Sequence, residues 1–312
     1  MKIAVIGGSG HIGTYLVPRL VRCGHEVTVV SRGLRSPYTP DPAWEKVTFA
    51  TLDRKATEPS GTFGAKIRDL RAEVVIDLTC FTPESARQLV DALRGTLRLF
   101  LHCGTIWVHG YSTVVPATED LPRKPFCEYG KRKAAIEQFL LEEAQSGRFP
   151  AAILHPGHIV GKGWAPLNPA GHFHPRVFSQ LAQGEELCLP NLGMETVHHV
   201  HADDVAQAFE RAVEMPERAI AESFHVVSEK ALTLRGYAEA MSAWFGQAPR
   251  LRFLPWAEWT NTVSEREAAY TWDHIAHSPN CSIEKARTKL GYSPGYTSLE
   301  AVQESVSDSR PL

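Results

Sequence analysis

The chain has 312 residues, 43% of them hydrophobic, and a net charge of −2 from 33 basic and 35 acidic side chains. That length permits one large α/β domain, or a domain with a smaller lobe. The charge balance leaves no basic surplus for nucleic acid and no acidic tail, and the longest apolar runs, such as residues 74–78, are too short to span a bilayer.

Taken in chain order, residues 1–7 read as a buried strand entering a turn, without the long apolar core and cleavage site of a secretory signal, so a cytoplasmic location is expected. A helix starts near His11, with Ile12, Leu16 and Leu20 at four-residue spacing and Gly24 placed to end it. Pro18 inside it removes one backbone hydrogen bond and predicts a kink. Strands are predicted at 26–31, 46–50 and 73–78. Thr82 then caps a helix running to residue 93, with Pro83 at its first position. A strand at 97–102, a long helix at 128–145 and a strand at 151–154 follow. Strands alternating with helices at this spacing predict an α/β fold with a doubly wound parallel sheet.

Residues 156–194 are rich in Gly, Pro and His; a helix at 203–215 and a strand at 223–227 come next. The last eighty residues mix short helices with polar loops. The expected organisation is a dinucleotide-binding Rossmann domain over residues 1–155, to which 195–228 return. Residues 156–194 and 229–312 form a smaller, interleaved C-terminal substrate lobe.

The glycine-rich turn Gly7-Gly8-Ser9-Gly10-His11-Ile12-Gly13 directly follows a strand and directly precedes a helix. This context suits a pyrophosphate: the backbone must turn tightly and approach closely, and the helix N-terminus offers unpaired N–H groups to the anion. Ser31-Arg32-Gly33 ends the second strand, where an acidic residue would accept hydrogen bonds from the adenosine ribose. None is present, and Arg32 can pair with a 2′-phosphate or stack on adenine. NADP is therefore favoured over NAD, with NAD left open. Asp53 is placed to accept a hydrogen bond from the adenine amine.

Tyr129 and Lys133 stand four apart in the long predicted helix and share a face. A free tyrosine has a pKa of about 10; an ammonium at about 5 Å in an effective dielectric of about 20 lowers it by about two units. The expectation is a phenolate that takes a proton from a substrate hydroxyl while hydride leaves the same carbon. Thr105, after the strand at 97–102, offers a hydroxyl to the reacting oxygen.

With these residues in hand, the chain resembles the extended short-chain dehydrogenase/reductase superfamily, in its NAD-dependent epimerase/dehydratase branch. The glycine turn is similar to that family's TGxxGxxG, with Ile6 in place of threonine. Thr105 with Val108-His109-Gly110 resembles its Ser…Val-Tyr-Gly segment, and Tyr129 and Lys133 its catalytic pair. The stretch from His155 and Pro156 to Gly161 resembles the segment that touches the nicotinamide end. His199 to Ala206 and Ser282 to Tyr292 resemble two later motifs. The resemblance covers nearly the whole chain. It implies catalysis by Tyr129, Lys133 and Thr105. It implies cofactor contacts from the glycine turn, Arg32, Asp53, Arg54, Leu78, Thr79, Cys103, Lys133, Pro156 and His158, and substrate contacts from Thr105, Trp107, His158 and His174. It also implies a homodimer through helices 82–93 and 128–145.

Three departures stand out. Thr105 replaces the usual serine, His155 a common arginine, and His158 the asparagine that helps hold a diphosphate-sugar. The last weakens the case for a nucleotide-sugar substrate. Ser31-Arg32-Gly33 with Asp53-Arg54 resembles a branch that includes chloroplast RNA-binding proteins. Two readings are therefore carried: an NAD(P)-dependent epimerase or oxidoreductase of a sugar-like or other polyhydroxylated small molecule, and a non-catalytic dinucleotide-binding regulator or RNA-binding relative. A dehydratase ranks lowest, because it needs an Asp-Glu pair at Thr105-Ile106. The histidines at 155, 158, 172, 174, 198, 199 and 201 match no standard zinc spacing, so no metal is expected. The six cysteines are scattered without a CxxC pair and are expected to be reduced, with Cys80 and Cys103 near strand ends where they can face the cofactor.

Overall fold

A computed structural model describes residues 1–308; the last four residues of the lobe expected at 229–312 lie outside the described part. The first half contributes six strands, β1 (Lys2–Ile6), β2 (Glu26–Ser31), β3 (Thr48–Thr51), β4 (Val74–Asp77), β5 (Leu99–Cys103) and β6 (Ala151–Pro156). Five helices lie between them, α1 (His11–Arg22), α2 (Arg54–Thr57), α3 (Thr62–Asp69), α4 (Pro83–Leu93) and α5 (Glu128–Gln145). The second half adds the short strands β7 (His158–Val160), β8 (Leu187–Pro190), β9 (Thr196–Val197) and β10 (His199–His201), then β11 (Ser223–Val226), β12 (Leu232–Thr233) and β13 (Leu251–Leu254). Its helices are α6 (Arg176–Ala182), α7 (Ala202–Glu214), α8 (Pro216–Ala219), α9 (Leu234–Trp244), α10 (Trp256–Trp259), α11 (Glu265–His277), α12 (Glu284–Leu290) and α13 (Ser298–Asp308).

Seven strands form one sheet in the order β11-β6-β5-β4-β1-β2-β3, and every pair in it is parallel. This is the doubly wound Rossmann arrangement, with the chain reversing direction between β1 and β4. Ile3, Ala4, Val5 and Ile6 of β1 are all buried, because helices cover both faces. On one face Leu16, Val17 and Leu20 of α1 pack with Val205 and Phe209 of α7 and Leu290 of α12. On the other, Phe63 and Ile67 of α3, Leu89 and Val90 of α4 and Ile136 and Leu140 of α5 close the second core. A third core joins Val177 and Leu181 of α6, Leu189 of β8, Tyr237 and Met241 of α9, Trp259 and Val302. Among the described residues, no helix is long and apolar enough to cross a membrane.

One local reading is corrected. The strand expected at 46–50 begins later, at Thr48. Asp41 accepts from Ala43 N and, with Pro42 at the first position, starts a 3₁₀ turn over Pro42–Lys46 instead. Helix α1 contains Pro18 and continues to Arg22, and beside it Arg19 donates to Asp203 at 2.7 Å and Glu210 at 3.0 Å on α7. Helix α4 forms as expected, with the Thr82 hydroxyl accepting from Ser85 N and Pro83 at the first position.

Candidate active site

The glycine turn joins β1 to α1 at the C-terminal edge of the sheet, where open α/β sheets bind ligands. Gly7 has φ +81°, and a Cβ there would meet Thr79 Cγ2 at 2.4 Å. A Cβ on Gly13 would fall 2.0 Å from Gly8 O, so only glycine lets the helix approach the turn this closely. Gly10 caps α1 with no side-chain acceptor for the leading N–H groups. The turn therefore keeps a bare backbone cradle and an uncapped helix N-terminus, which fits a dinucleotide pyrophosphate. Ser9 is buried beside it. The His11 side chain is a separate matter. It is buried, stacks flat on Trp164 at 4.5 Å and meets the Tyr38 ring at 5.5 Å, and neither ring nitrogen has a partner. Burial, reinforced by His201, lowers its pKa to about 3.

Helix α5 carries the expected pair. Cys127 caps it by accepting from Gly130 N at 3.3 Å, and Gly130 lets the first turn press against Trp107, since a Cβ would sit 2.9 Å from Trp107 O. The Thr105 hydroxyl is a polar neighbour of Tyr129 that favours its phenolate. The Lys133 Nζ, buried, donates to Cys80 O at 2.8 Å and Cys103 O at 2.6 Å, tying the ends of β4 and β5 together. Its pKa is lowered by burial. The ammonium lies 6.0 Å from the Tyr129 ring centroid. The expected depression of the Tyr129 pKa is not found: burial, then Cys103, raises it above the ordinary tyrosine value, and the Thr105 hydroxyl only partly opposes this. The physical reason is that Lys133 is engaged by two carbonyls and does not offset the loss of solvent around the phenol.

Trp107 sits between Tyr129 and a group of histidines. It stacks on His277 at 4.2 Å and meets His274 at 5.2 Å, His158 at 6.0 Å and Tyr129 at 6.1 Å edge-on. His274 and His277 lie on α11 and bond Tyr270 O and Asp273 O through Nδ1, which leaves Nε2 of each as an acceptor; that of His277 faces the Cys127 thiol at 4.0 Å. Burial lowers the pKa of His274 to about 4 and puts that of His158 well below its usual value. Neutral imidazoles and the Trp107 ring thus line one side of Tyr129, which stays 41% exposed, and His158 Nε2 is buried without a partner.

Thr105, Trp107, Tyr129, Lys133 and His158 are brought together as expected; His174 is not. It lines a cavity of about 300 Å³ with His172, Arg176, Cys188 and Glu267. Its Nδ1 accepts from Arg176 N, a local bond that turns it away from the Trp107 group. Arg54, expected to touch the cofactor, has its Nη1 on both oxygens of buried Asp77 at 2.9 Å and its Nε on Glu58. An aspartate buried at the end of β4 needs that charge, which is why the guanidinium turns inward. Asp53 caps α2 through Oδ1, accepting from Lys55 N and Ala56 N. Arg32 is exposed, with no ion-pair partner among the described residues. Leu78 and Thr79 follow β4 next to Gly7, and Pro156 ends β6. Cys103 is buried and its thiol pKa is pushed up to about 11 by burial; Cys80 behaves alike, at about 12, so neither is a nucleophile. Among the described residues, the histidine-rich segments do not gather into a metal-binding set; the one such group, Cys23, Glu210 and Glu214, is at the surface between α1 and α7.

Sequence reasoning missed His274, His277, Tyr38, Trp164 and Glu137. The first four come from loops and a late helix, with no local pattern to mark them. Glu137 had a signal, since it continues the Tyr129–Lys133 row by four residues.

The model of the NAD dependent epimerase/dehydratase family matches residues 3–226. The chain belongs to this family. As an NAD dependent epimerase/dehydratase-family protein it is an enzyme that works with a nicotinamide dinucleotide. It is 26% identical to dTDP-6-deoxy-L-talose 4-dehydrogenase (NAD(P)(+)) of Kitasatospora kifunensis, over 97% of this chain and 94% of that one. It is 28% identical to the chloroplast stem-loop binding protein of 41 kDa b of Arabidopsis thaliana, over 97% of this chain and 78% of that one. Its fold matches UDP-glucuronic acid 4-epimerase from Bacillus cereus, in complex with UDP-glucuronic acid and NAD, with TM-score 0.72 and 20% identity over 99% and 98% of the two chains.

Proposed function

We propose that this family member oxidises or reduces a hydroxyl/carbonyl carbon of a sugar-like or other polyhydroxylated small molecule, with Tyr129 as the acid/base. The observation that carries this is Tyr129 with the Thr105 hydroxyl as a polar neighbour, at the same edge of the sheet as the glycine turn, on a helix whose Lys133 donates to Cys80 O and Cys103 O. The bound dinucleotide supplies the hydride acceptor or donor. Tyr129 moves the proton at the substrate oxygen, and Thr105 holds that oxygen by a hydrogen bond. Trp107 offers an aromatic face to sugar C–H groups, while Nε2 of His274 and the unpartnered His158 nitrogen offer polar contacts to hydroxyls. NADP is the favoured cofactor, with exposed Arg32 meeting the 2′-phosphate.

Tyr129→Phe is expected to cut turnover by several powers of ten and leave dinucleotide affinity intact. Unchanged turnover would sink this reading. Detection uses NADPH or NADH consumption across a panel of keto-sugars and nucleotide sugars. The likeness to the chloroplast stem-loop binding protein keeps the RNA-binding reading as the alternative; tight, salt-dependent binding of a stem-loop RNA by the purified protein would favour it. Two further proposals rest on the resemblance: a homodimer built on α4 and α5, which light scattering tests, and a cytoplasmic location.

A further inference from the structure

We propose that His155 and Glu137 are positioning residues for Thr105, so that the helix carrying Tyr129 also sets the residue whose hydroxyl is proposed to share the substrate oxygen with Tyr129. The inference rests on the reading of Thr105 and Tyr129 given above. Thr105 N lies 2.9 Å from His155 Nδ1. A backbone N–H can only donate, so Nδ1 is the acceptor and the ring proton is on Nε2. That nitrogen lies 2.9 Å from Glu137 Oε1. Geometry thus selects one neutral tautomer of His155, and both of its nitrogens are satisfied.

The arrangement is closed to water. His155 on β6 is fully buried, Glu137 is 2% exposed and Thr105 is 7% exposed. Burial alone would raise the Glu137 carboxyl, but the hydrogen bond from His155 Nε2 and the Arg123 guanidinium hold it below the usual carboxylate range. Arg123 contributes two bonds to Glu137, at 3.0 and 2.6 Å, and its Nη1 also donates to Glu119 O and Leu121 O. Gly104 is what lets the imidazole come so near: a Cβ there would meet His155 Nδ1 at 2.3 Å.

Tyr129, Lys133 and Glu137 stand at i, i+4 and i+8 on α5. Lys133 holds Cys103 O, and Glu137 holds Thr105 N through His155. Two members of the row therefore pin the segment 103–105 from one rigid helix, while the third is the acid/base. A shift of α5 carries the phenol and Thr105 together, and their separation is preserved. Neither His155 nor Glu137 touches the reacting atoms in this scheme.

The test needs no substrate. In ¹⁵N-histidine spectra of the wild-type protein at pH 7, His155, assigned by its loss in His155→Gln, is expected to show an unprotonated Nδ1 and a protonated Nε2. Amide hydrogen exchange of Thr105 is expected to be at least tenfold faster in His155→Leu than in wild type. His155→Gln, whose amide oxygen can accept from Thr105 and whose amide nitrogen can donate to Glu137, is expected to restore protection. A protonated Nδ1 overturns the proposal, as does wild-type exchange in His155→Leu or unprotected Thr105 in His155→Gln. Should His155→Leu fail to fold, the wild-type spectrum and His155→Gln still decide. If Tyr129→Phe keeps full turnover while the histidine signature and Thr105 protection hold, the proposed chemistry fails and the tether stands.

Discussion

In the proposed reaction Tyr129 starts as a neutral phenol: lost solvent around the hydroxyl and the neighbouring Cys103 hold its proton on, although the residue keeps 41% of its surface exposed. A neutral phenol is ready to give a proton to an oxygen that gains charge, which suits carbonyl reduction better than alcohol oxidation. Arg32 poses the other residue-scale question. It is exposed just after β2 and has no ion-pair partner among the described residues. Arg32→Ala is expected to weaken NADPH binding about tenfold, about 1.4 kcal/mol, and to leave NADH within about twofold. Fluorescence titration of both dinucleotides measures this, and equal losses would exclude a 2′-phosphate contact. Asp53 shows the limit of reading single residues: position placed it near the adenine, but its Oδ1 is already a helix cap, and a cap looks the same in sequence.

At the scale of elements, α1 is more than a pyrophosphate cradle. His11 in its first turn stacks on Trp164, from the segment after β7, and meets edge-on Tyr38, from the segment after β2, and the two outer rings also touch each other. Tyr38 N is also tied to Thr14 Oγ1 at 3.0 Å, and Gly163 packs against the Tyr38 ring. Two loops from opposite halves of the chain are thus pinned at the turn that receives the cofactor. Trp164→Ala is expected to speed NADPH release by about tenfold, for loss of about 1.4 kcal/mol of ring contact. Stopped-flow displacement reads the rate, and an unchanged rate would show that the rings do not restrain the cofactor. Helix α5 was legible as a helix and as the bearer of the Tyr/Lys pair, since both are properties of spacing. Its third member, Glu137, was legible only as a position, because its partner His155 is on β6 and no spacing rule links them.

Across the whole molecule, burial of histidine is the dominant electrostatic fact. Burial lowers the pKa of His11 and His199 to about 3 and that of His109, His172, His198 and His274 to about 4. In the unfolded chain these groups titrate near 6.5. Between pH 6.5 and about 4 the unfolded state binds more protons than the fold does, so stability is full above pH 6.5 and falls as the pH drops. Each unit of difference is about 1.4 kcal/mol per group. The melting temperature is therefore expected to fall by roughly 10 °C or more between pH 7 and pH 5. A flat profile by calorimetry would mean that these rings are already charged in the fold.

Local pattern by itself determined the alternation of strands and helices, the bare glycine cradle, the Thr82-Pro83 helix start and the Tyr129–Lys133 pair. Each depends on neighbours within a few residues, where backbone geometry fixes what can face what. Only the tertiary structure decided the electrostatics and the walls of the site. Lys133 could be expected to acidify Tyr129 until its two carbonyl partners, from β4 and β5, were on the page. Only the fold shows that Asp77 takes Nη1 of Arg54 while its Nη2 is buried without a partner, and only the fold places His174 in a cavity with His172 and Glu267. Trp107 acquired its histidine neighbours from α11, far along the chain. Charge, solvent exclusion and ring contacts depend on which distant segments meet, and that information is carried by packing and not by spacing.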